Sequence, residues 1–223
     1  MDTAAIAVSL QLAAATSALL LLLGLPLGAW LAFTRSRLRG AVEALSALPL
    51  VLPPTVLGFY VLLAIGPEGP VGRLVAAVGG PGLPFSFPGL LLASALYSLP
   101  FAVQPFAAAF AGVDRRLIEA AWCLGHGRLS TFWRVVLPLS WPGVLTGMVL
   151  SFAHTVGEFG VVLMVGGNIP GRTRTVSVSI YDSVQAMDLA AAGRTSLLLT
   201  LFSFAVLAVV YGRKGAGAAW ARR

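Results

Sequence analysis

The first long uncharged stretch of the chain lies between Asp2 and Arg35 and contains no aspartate, glutamate, lysine or arginine. About 20 consecutive apolar residues suffice for a helix to cross the hydrocarbon core of a bilayer. Only 10% of all residues are charged and 58% are hydrophobic, whereas soluble domains carry about 25% charged residues. Such a chain cannot cover a water-exposed surface, so the sequence predicts an integral membrane protein.

Four further apolar windows follow the first, and together they predict an all-α fold with five membrane-spanning helices in one domain, residues 1–223. The predicted spans are residues 5–33, 44–65, 89–112, 139–165 and 189–211. The second span contains Pro49, Pro53 and Pro54, which indicate a kinked or interrupted helix because proline lacks a backbone donor. The run Gly157-Glu158-Phe159-Gly160 indicates a second interruption, in the fourth span.

Arginine and lysine residues are unevenly distributed between the two predicted sides of the membrane. One side carries eleven: Arg35, Arg37, Arg39, Arg115, Arg116, Arg128, Arg134, Arg213, Lys214, Arg222 and Arg223. The other side carries four: Arg73, Arg172, Arg174 and Arg194. The positive-inside rule therefore predicts a cytoplasmic C-terminus and an N-terminus outside. Because the basic residues form short clusters at span ends, the net charge of +7 does not indicate nucleic-acid binding.

No group of residues in the sequence indicates catalysis, a metal or a cofactor. Cys123 is the only cysteine, so neither an intramolecular disulfide nor a pair of cysteine ligands is available. His126 and His154 are isolated from other metal-ligating residues. The only lysine, Lys214, is not part of a phosphate-binding loop of the G-x-x-x-x-G-K-[ST] type. We therefore expect no enzymatic activity, and energy for any active process must come from a partner.

A charged, amphipathic segment, residues 114–138, interrupts the apolar sequence. Leu117, Ala121 and Leu124 recur at helical spacing, Gly125-His126-Gly127 ends that helix, and a second short helix follows at 129–136. Two short helices at an angle fit a groove on another protein. The pattern alone also allows an amphipathic helix that lies on lipid headgroups.

Within this segment, one motif resembles a known family. The motif consists of Glu119, Ala120, Ala121, Gly125, Leu137 and Pro138. Their spacing resembles the EAA motif of binding-protein-dependent ABC importer permeases, with Val135 where isoleucine is usual. The resemblance implies a coupling helix that docks into an ATPase subunit. It also implies a homodimer in the bacterial inner membrane, in contact with lipid, two ATPase subunits and a periplasmic or lipid-anchored binding protein.

Three other stretches resemble the molybdate permeases of that family: residues 49–56, 157–160 and 167–175. This resemblance implies that molybdate is the cargo, with tungstate as a near-isosteric second substrate. Sulfate or thiosulfate permeases are the alternative within the class, although they more often carry tyrosine at the position of Phe159. An ion-driven secondary transporter is the alternative from another class, but it would need inverted repeats and coupling-ion ligands, and the sequence has neither.

Candidate residues for the translocation path or its gate cluster at the two predicted interruptions. They are Pro53, Pro54, Thr155, Gly157, Glu158 and Gly160. Glu158 is the only acid inside a predicted span, where an ionisable group is a functional candidate; because a carboxylate repels an oxyanion, we favour a structural or gating role for it over direct contact. Outside the membrane, Asn168, Arg172 and Arg174 are candidates for contact with the anion or the binding protein, unless they are ordinary solvated loop residues.

Overall fold

The structure is a computed structural model that describes the backbone of residues 2–220 and the side chains of residues 2–208. Within this range the chain is built from helices and connecting turns. The α-helices are α1 (Thr3–Phe33), α2 (Arg39–Ala47), α3 (Pro54–Ile65), α4 (Pro70–Ala77), α5 (Phe87–Ala111), α6 (Arg115–Cys123), α7 (Arg128–Thr131), α8 (Leu137–Gly157), α9 (Gly160–Gly166), α10 (Val176–Gln185) and α11 (Leu189–Trp220). Arg222 and Arg223 of the basic tail lie outside the described residues, as do the side chains of Arg213 and Lys214.

Five helical stretches among the described residues are long and apolar enough to cross a membrane, which confirms the predicted fold class. They are Thr3–Phe33, Pro54–Ala77, Phe87–Ala111, Arg128–Gly157 and Leu189–Ala208. The region that the sequence predicts as the second span is divided into α2, a 3₁₀ turn at Leu48–Leu50, and α3. The prolines explain the division, because Pro53 adopts an extended backbone before Pro54 begins α3.

Three helices, α1, α5 and α8, pack around one fully buried aromatic ring, that of Phe106 in α5. A Cβ atom added to Gly24 of α1 would lie 3.2 Å from Phe106 Cε2, and one added to Gly147 of α8 would lie 2.7 Å from Phe106 Cε1. The ring is therefore held between two glycines on opposite sides. Small residues at such contacts let membrane helices approach closely.

The same contacts give the relative directions of the three helices. Gly24 and Gly28 of α1 lie against Phe106 and then Ala107, so α1 and α5 run parallel. Gly143 of α8 lies against Ala109 of α5, and Gly147, one turn later in α8, lies against Phe106 and Ala102, which are nearer the start of α5. Helix α8 therefore runs antiparallel to α5. The end of α1, the end of α5 and the start of α8 therefore share one end of the bundle, together with the segment 114–138.

The entry into α8 differs from the sequence prediction. The sequence predicts a fourth span that begins at residue 139, after a separate short helix, but α7 continues into α8 through a π-helical stretch, Phe132–Val136. The N–H of Leu137 donates to the Phe132 carbonyl, one residue farther away than in an α-helix. Pro138, which has no N–H to donate, follows closely after the π-helical stretch. Residues 128–157 consequently form one continuous helical stretch of 30 residues.

Candidate functional site

The segment 114–138, which we call the coupling segment, begins with a well-capped helix. The carboxylate of Asp114 accepts a hydrogen bond from the Arg116 N–H at 2.9 Å, which satisfies one free donor at the start of α6. Glu119 Oε1 accepts from Arg115 Nε at 2.8 Å, one helical turn away. Ile118 and Ala121 are buried toward the bundle. The first alanine of the motif, Ala120, and Glu119 remain exposed.

Gly125 ends α6 in a left-handed backbone conformation, with φ of +83°. Its N–H donates to the Trp122 carbonyl at 2.9 Å, and the His126 N–H donates to the Ala121 carbonyl at 3.0 Å. These two bonds form a Schellman motif, which favours glycine at the left-handed position. No heavy atom lies within 4 Å of a Cβ built on Gly125. The requirement for glycine in the isolated chain therefore comes from the backbone turn rather than from packing.

Large apolar side chains remain uncovered on the coupling segment. They are Leu117, Trp122, Leu124, Leu129 and Trp133, with Leu124 80% exposed. The predicted face of Leu117, Ala121 and Leu124 is thus split, since Ala121 is buried and both leucines are exposed. Aromatic and aliphatic side chains exposed together at the end of a bundle are typical of a surface that a partner covers.

A cavity of about 580 Å³ lies where the two interrupted helical regions meet. Its lining residues are Pro54, Thr55, Tyr97, Ala153, His154, Gly157, Glu158, Phe159 and Gly160. The interruptions touch directly, because a Cβ on Gly160 would lie 2.9 Å from Pro54 Cβ. Four of the six residues predicted for the path line this cavity. Of the other two, Pro53 is exposed beside it and Thr155 is buried behind it.

Glu158, one of the residues that line the cavity, is buried. The residue is only 3% exposed, and within the described part of the chain neither carboxyl oxygen has a hydrogen-bond partner. Ser94 Oγ is near this carboxyl group, but the geometry between them falls short of a hydrogen bond. Burial of a polar group without a partner is costly, so the position of this carboxyl group in the cavity requires an explanation. The predicted structural or gating role of Glu158 remains a prediction.

His154 is a cavity residue to which the sequence pattern assigns no role. Its ring stacks on Phe101 with centroids 4.0 Å apart and contacts Tyr97 at 4.8 Å. The Nδ1 atom lies 2.9 Å from Ser98 Oγ, which lies 2.9 Å from Thr155 Oγ1. The Thr155 hydroxyl donates to the backbone carbonyl of Ser151.

The available protons fix the direction of this hydrogen-bond chain. Since Thr155 uses its only hydroxyl proton on the Ser151 carbonyl, the Ser98 hydroxyl donates to Thr155, and His154 Nδ1–H donates to Ser98. The other ring nitrogen of this cavity-lining histidine, Nε2, takes no part in the chain of hydrogen bonds. Ser98 and His154 are 56 positions apart in the sequence; the only local signal is a histidine in the last turn before a predicted interruption.

The loop after α9 takes part in a network of charged and amide groups with Asp182 of α10 and Asp2. Arg174 lies 3.2 Å from an Asp182 oxygen and 3.6 Å from an Asp2 oxygen, and its Nε donates to Asn168 Oδ1 at 2.6 Å. The Asn168 amide donates to both Asp182 oxygens. Arg172 is exposed and forms no ion pair within the described residues. Of the three residues predicted to contact the anion or the binding protein, Asn168 and Arg174 belong to this network and Arg172 does not.

Comparison with known proteins agrees with these features. The sequence pattern of the family described as "Binding-protein-dependent transport system inner membrane component" matches residues 24–213. The molybdenum transport system permease protein ModB of Azotobacter vinelandii is 54% identical over 213 residues, which cover 96% of this chain and 94% of that protein. The ModB protein of Escherichia coli K12 is 38% identical over 173 residues, 76% of each.

The fold resembles that of a chain from an inward-facing structure of the MetNI methionine ABC transporter. The TM-score is 0.70 at 18% identity, with 95% of each chain covered, so this likeness concerns the fold. The family match covers most of the chain, and the exposed coupling segment carries the motif that the family resemblance implied. The chain therefore belongs to the family of binding-protein-dependent transport system inner membrane components.

Proposed function

We propose that this permease carries molybdate, and tungstate with it, into the cytoplasm as the membrane subunit of an ATP-driven importer. The observation that supports this cargo most directly is the 54% identity to a molybdenum transport permease over nearly the whole chain. Transport of sulfate or thiosulfate is the alternative, because both are tetrahedral anions like molybdate. A path with similar surroundings would therefore suit any of the three anions.

ATP binding and hydrolysis belong, in this proposal, to a partner subunit. The sequence carries no phosphate-binding loop, and the exposed apolar residues of the coupling segment offer a surface for docking. Two such ATPase subunits would contact a homodimer of this chain, one at each coupling segment. The cavity is partly open in a single chain, as half of a path shared between two copies would be. A periplasmic or lipid-anchored binding protein would deliver the oxyanion.

The proposed path passes the cavity at the two interruptions. Pro53 and Pro54 lie at one helix break, and Gly157 and Gly160 flank the other; membrane proteins tolerate non-helical backbone where the chain lines a cavity. Glu158 lines the cavity itself, whereas Thr155 would act from behind the lining, through its bonds to Ser98 and Ser151. The arginine distribution supports a topology with the N-terminus outside and the C-terminus in the cytoplasm.

Uptake by the reconstituted complex tests the cargo. The complex of permease, ATPase and binding protein in proteoliposomes is expected to accumulate labelled molybdate only when ATP is supplied. Unlabelled tungstate should compete about as well as unlabelled molybdate, since the two anions are near-isosteric, whereas sulfate should compete at least about tenfold less well, equivalent to 1.4 kcal/mol. Equal or better competition by sulfate would replace molybdate with sulfate as the cargo.

In the same uptake assay, a variant of Gly160 tests whether the cavity is part of the translocation path. Gly160→Leu would place a side chain against Pro54, where even a Cβ would lie 2.9 Å from the proline Cβ. This variant is expected to stop uptake while the ATPase subunit still co-purifies. Normal uptake by Gly160→Leu would remove the cavity from the path without affecting the cargo assignment.

Arg172 and Arg174 offer a matched test of the outer loop. Arg172→Gln is expected to raise the binding-protein concentration needed for half-maximal uptake by about fivefold, because an exposed charge mainly affects encounter with a partner. Its thermal unfolding should not change. Arg174→Gln should instead lower the free energy of unfolding by about 1 kcal/mol, since it breaks a partly exposed network. If Arg172→Gln leaves the half-maximal concentration unchanged, Arg172 does not contact the binding protein.

A further inference from the structure

Three arginines occur within five residues at the junction of α1 and α2. Arg35, Arg37 and Arg39 are all exposed, and none forms an ion pair in the part of the chain that the structure describes. We call residues 34–39 the arginine corner. Two local hydrogen bonds shape it: Thr34 Oγ1 accepts from the Ser36 N–H and Ser36 Oγ accepts from the Leu38 N–H, both at 3.2 Å. Such turns hold the backbone without using the guanidinium groups.

The arginine corner lies at the same end of the bundle as the coupling segment but packs separately from it. The shared end follows from the parallel packing of α1 and α5. Helix α2 packs on α1, α5 and the 3₁₀ turn, whereas α6 packs on α7 and on the π-helical stretch. The corner is therefore a distinct surface beside the site that we assign to the ATPase.

Exposed apolar side chains flank the arginines on both sides in the sequence. Trp30 and Phe33 precede them at the end of α1, and Leu38 and Leu45 lie within and after the corner; all four are exposed. Aromatic residues followed by arginines at a span end are typical of the boundary between acyl chains and headgroups. Glu43, the only acid of α2, is exposed and forms no ion pair with any described residue, so the local charge remains positive.

We propose that the arginine corner is a binding site for the phosphate groups of anionic phospholipids in the cytoplasmic leaflet. Guanidinium groups present planar pairs of donors that match phosphate oxygens. The flanking apolar side chains meet the acyl chains of the same lipids, which a soluble phosphate compound would not offer. Basic residues beside a span gain affinity for an anionic surface, each by about fivefold. The lipid site does not depend on which anion the permease transports. Its assignment to the cytoplasmic leaflet rests on the topology given in the proposed function.

Lipid retention by the purified importer complex tests this site. The complex is placed in nanodiscs of phosphatidylcholine and phosphatidylglycerol in equal parts, and retained lipid is measured by native mass spectrometry after release. Arg35→Gln, Arg37→Gln and Arg39→Gln together are expected to weaken phosphatidylglycerol binding by about 100-fold, while the corresponding triple lysine variant should keep most of it. Phosphatidylcholine retention should not change in either variant.

Two controls distinguish a lipid site from a general effect of positive charge and from a site for free oxyanions. Arg116→Gln, Arg128→Gln and Arg134→Gln together remove the same charge at the same end of the bundle, and phosphatidylglycerol binding should change by less than about threefold. Inorganic phosphate and molybdate should not displace the bound lipid; displacement would make the corner a site for free oxyanions. Unchanged lipid retention in the corner variant would overturn the proposal, and simultaneous loss of the ATPase subunit would assign the corner to that partner.

Discussion

Gly125→Val is expected to lower oxyanion uptake by about tenfold or more, while the partner ATPase continues to hydrolyse ATP. The native φ of +83° at Gly125 is costly for residues with a Cβ, by about 1–2 kcal/mol and more for a β-branched side chain. The Schellman turn after α6 would therefore open or rotate. Because the exposed leucines and tryptophans of the coupling segment lie on both sides of this turn, docking would lose its geometry although the bundle stays folded.

Gly127 provides the matched control for this experiment. It lies two residues away and has a φ of −70°, and a Cβ built on it likewise meets no atom within 4 Å. Gly127→Val adds the same volume beside the same turn without the backbone penalty, so uptake should remain within about twofold of the unaltered protein. Uptake and ATP hydrolysis are measured side by side in proteoliposomes. If both valine variants transport normally, the coupling role of this turn is wrong.

Much of the fold could be predicted because it depends on local composition. Uncharged windows indicate spans, since a charge in the bilayer is expensive, and prolines such as Pro53 and glycines such as Gly157 indicate the breaks. Gly125 could be identified from the motif and from the helix-ending pattern around it. These features need no knowledge of which helices are neighbours.

Other parts of the candidate site depend on contacts between distant residues and could not be predicted. The hydrogen bond from His154 to Ser98 joins α8 to α5, and Asp2 reaches Arg174 across almost the whole sequence. Two arginines that look alike in the sequence therefore differ in the structure: Arg174 is committed to carboxylates within the chain, whereas Arg172 pairs with no described residue. The π-helical stretch at 132–136 also has no sequence signal beyond the nearby Pro138.

Continuous helices connect the coupling segment to the cavity. Residues 128–157 form one helical stretch from the coupling segment to Gly157 at the cavity, and α5 carries Tyr97 of the lining and ends beside Asp114. A movement of the coupling segment would thus reach both walls of the cavity along rigid elements. Phe106, held between α1 and α8, fixes the spacing of these elements about midway.

Gly147→Leu is expected to prevent correct folding of the chain or to lower its unfolding temperature by about 10 °C. A Cβ alone would lie 2.7 Å from Phe106 Cε1 and 3.1 Å from the Ala102 carbonyl oxygen. The ring has little room to move away, because Gly24 of α1 lies on its other side, where even an added Cβ would be 3.2 Å from Phe106 Cε2. Overpacking of this kind costs about 1–3 kcal/mol or more, and each kcal/mol corresponds to about 2–4 °C in a chain of this size. Thermal unfolding in detergent and the yield of folded protein provide the measurements.

Gly193 provides the control, because it lies within α11, is exposed, and has no heavy atom within 4 Å of a Cβ built on it. Gly193→Leu makes the same chemical change in a helix of the same membrane protein and should leave the unfolding temperature within about 2 °C. Phe106→Leu combined with Gly147→Leu should recover part of the loss, because the smaller side chain relieves the contact itself. Equal stability of the two single leucine variants would contradict the tight three-helix contact, and with it the rigid connection from the coupling segment to the cavity.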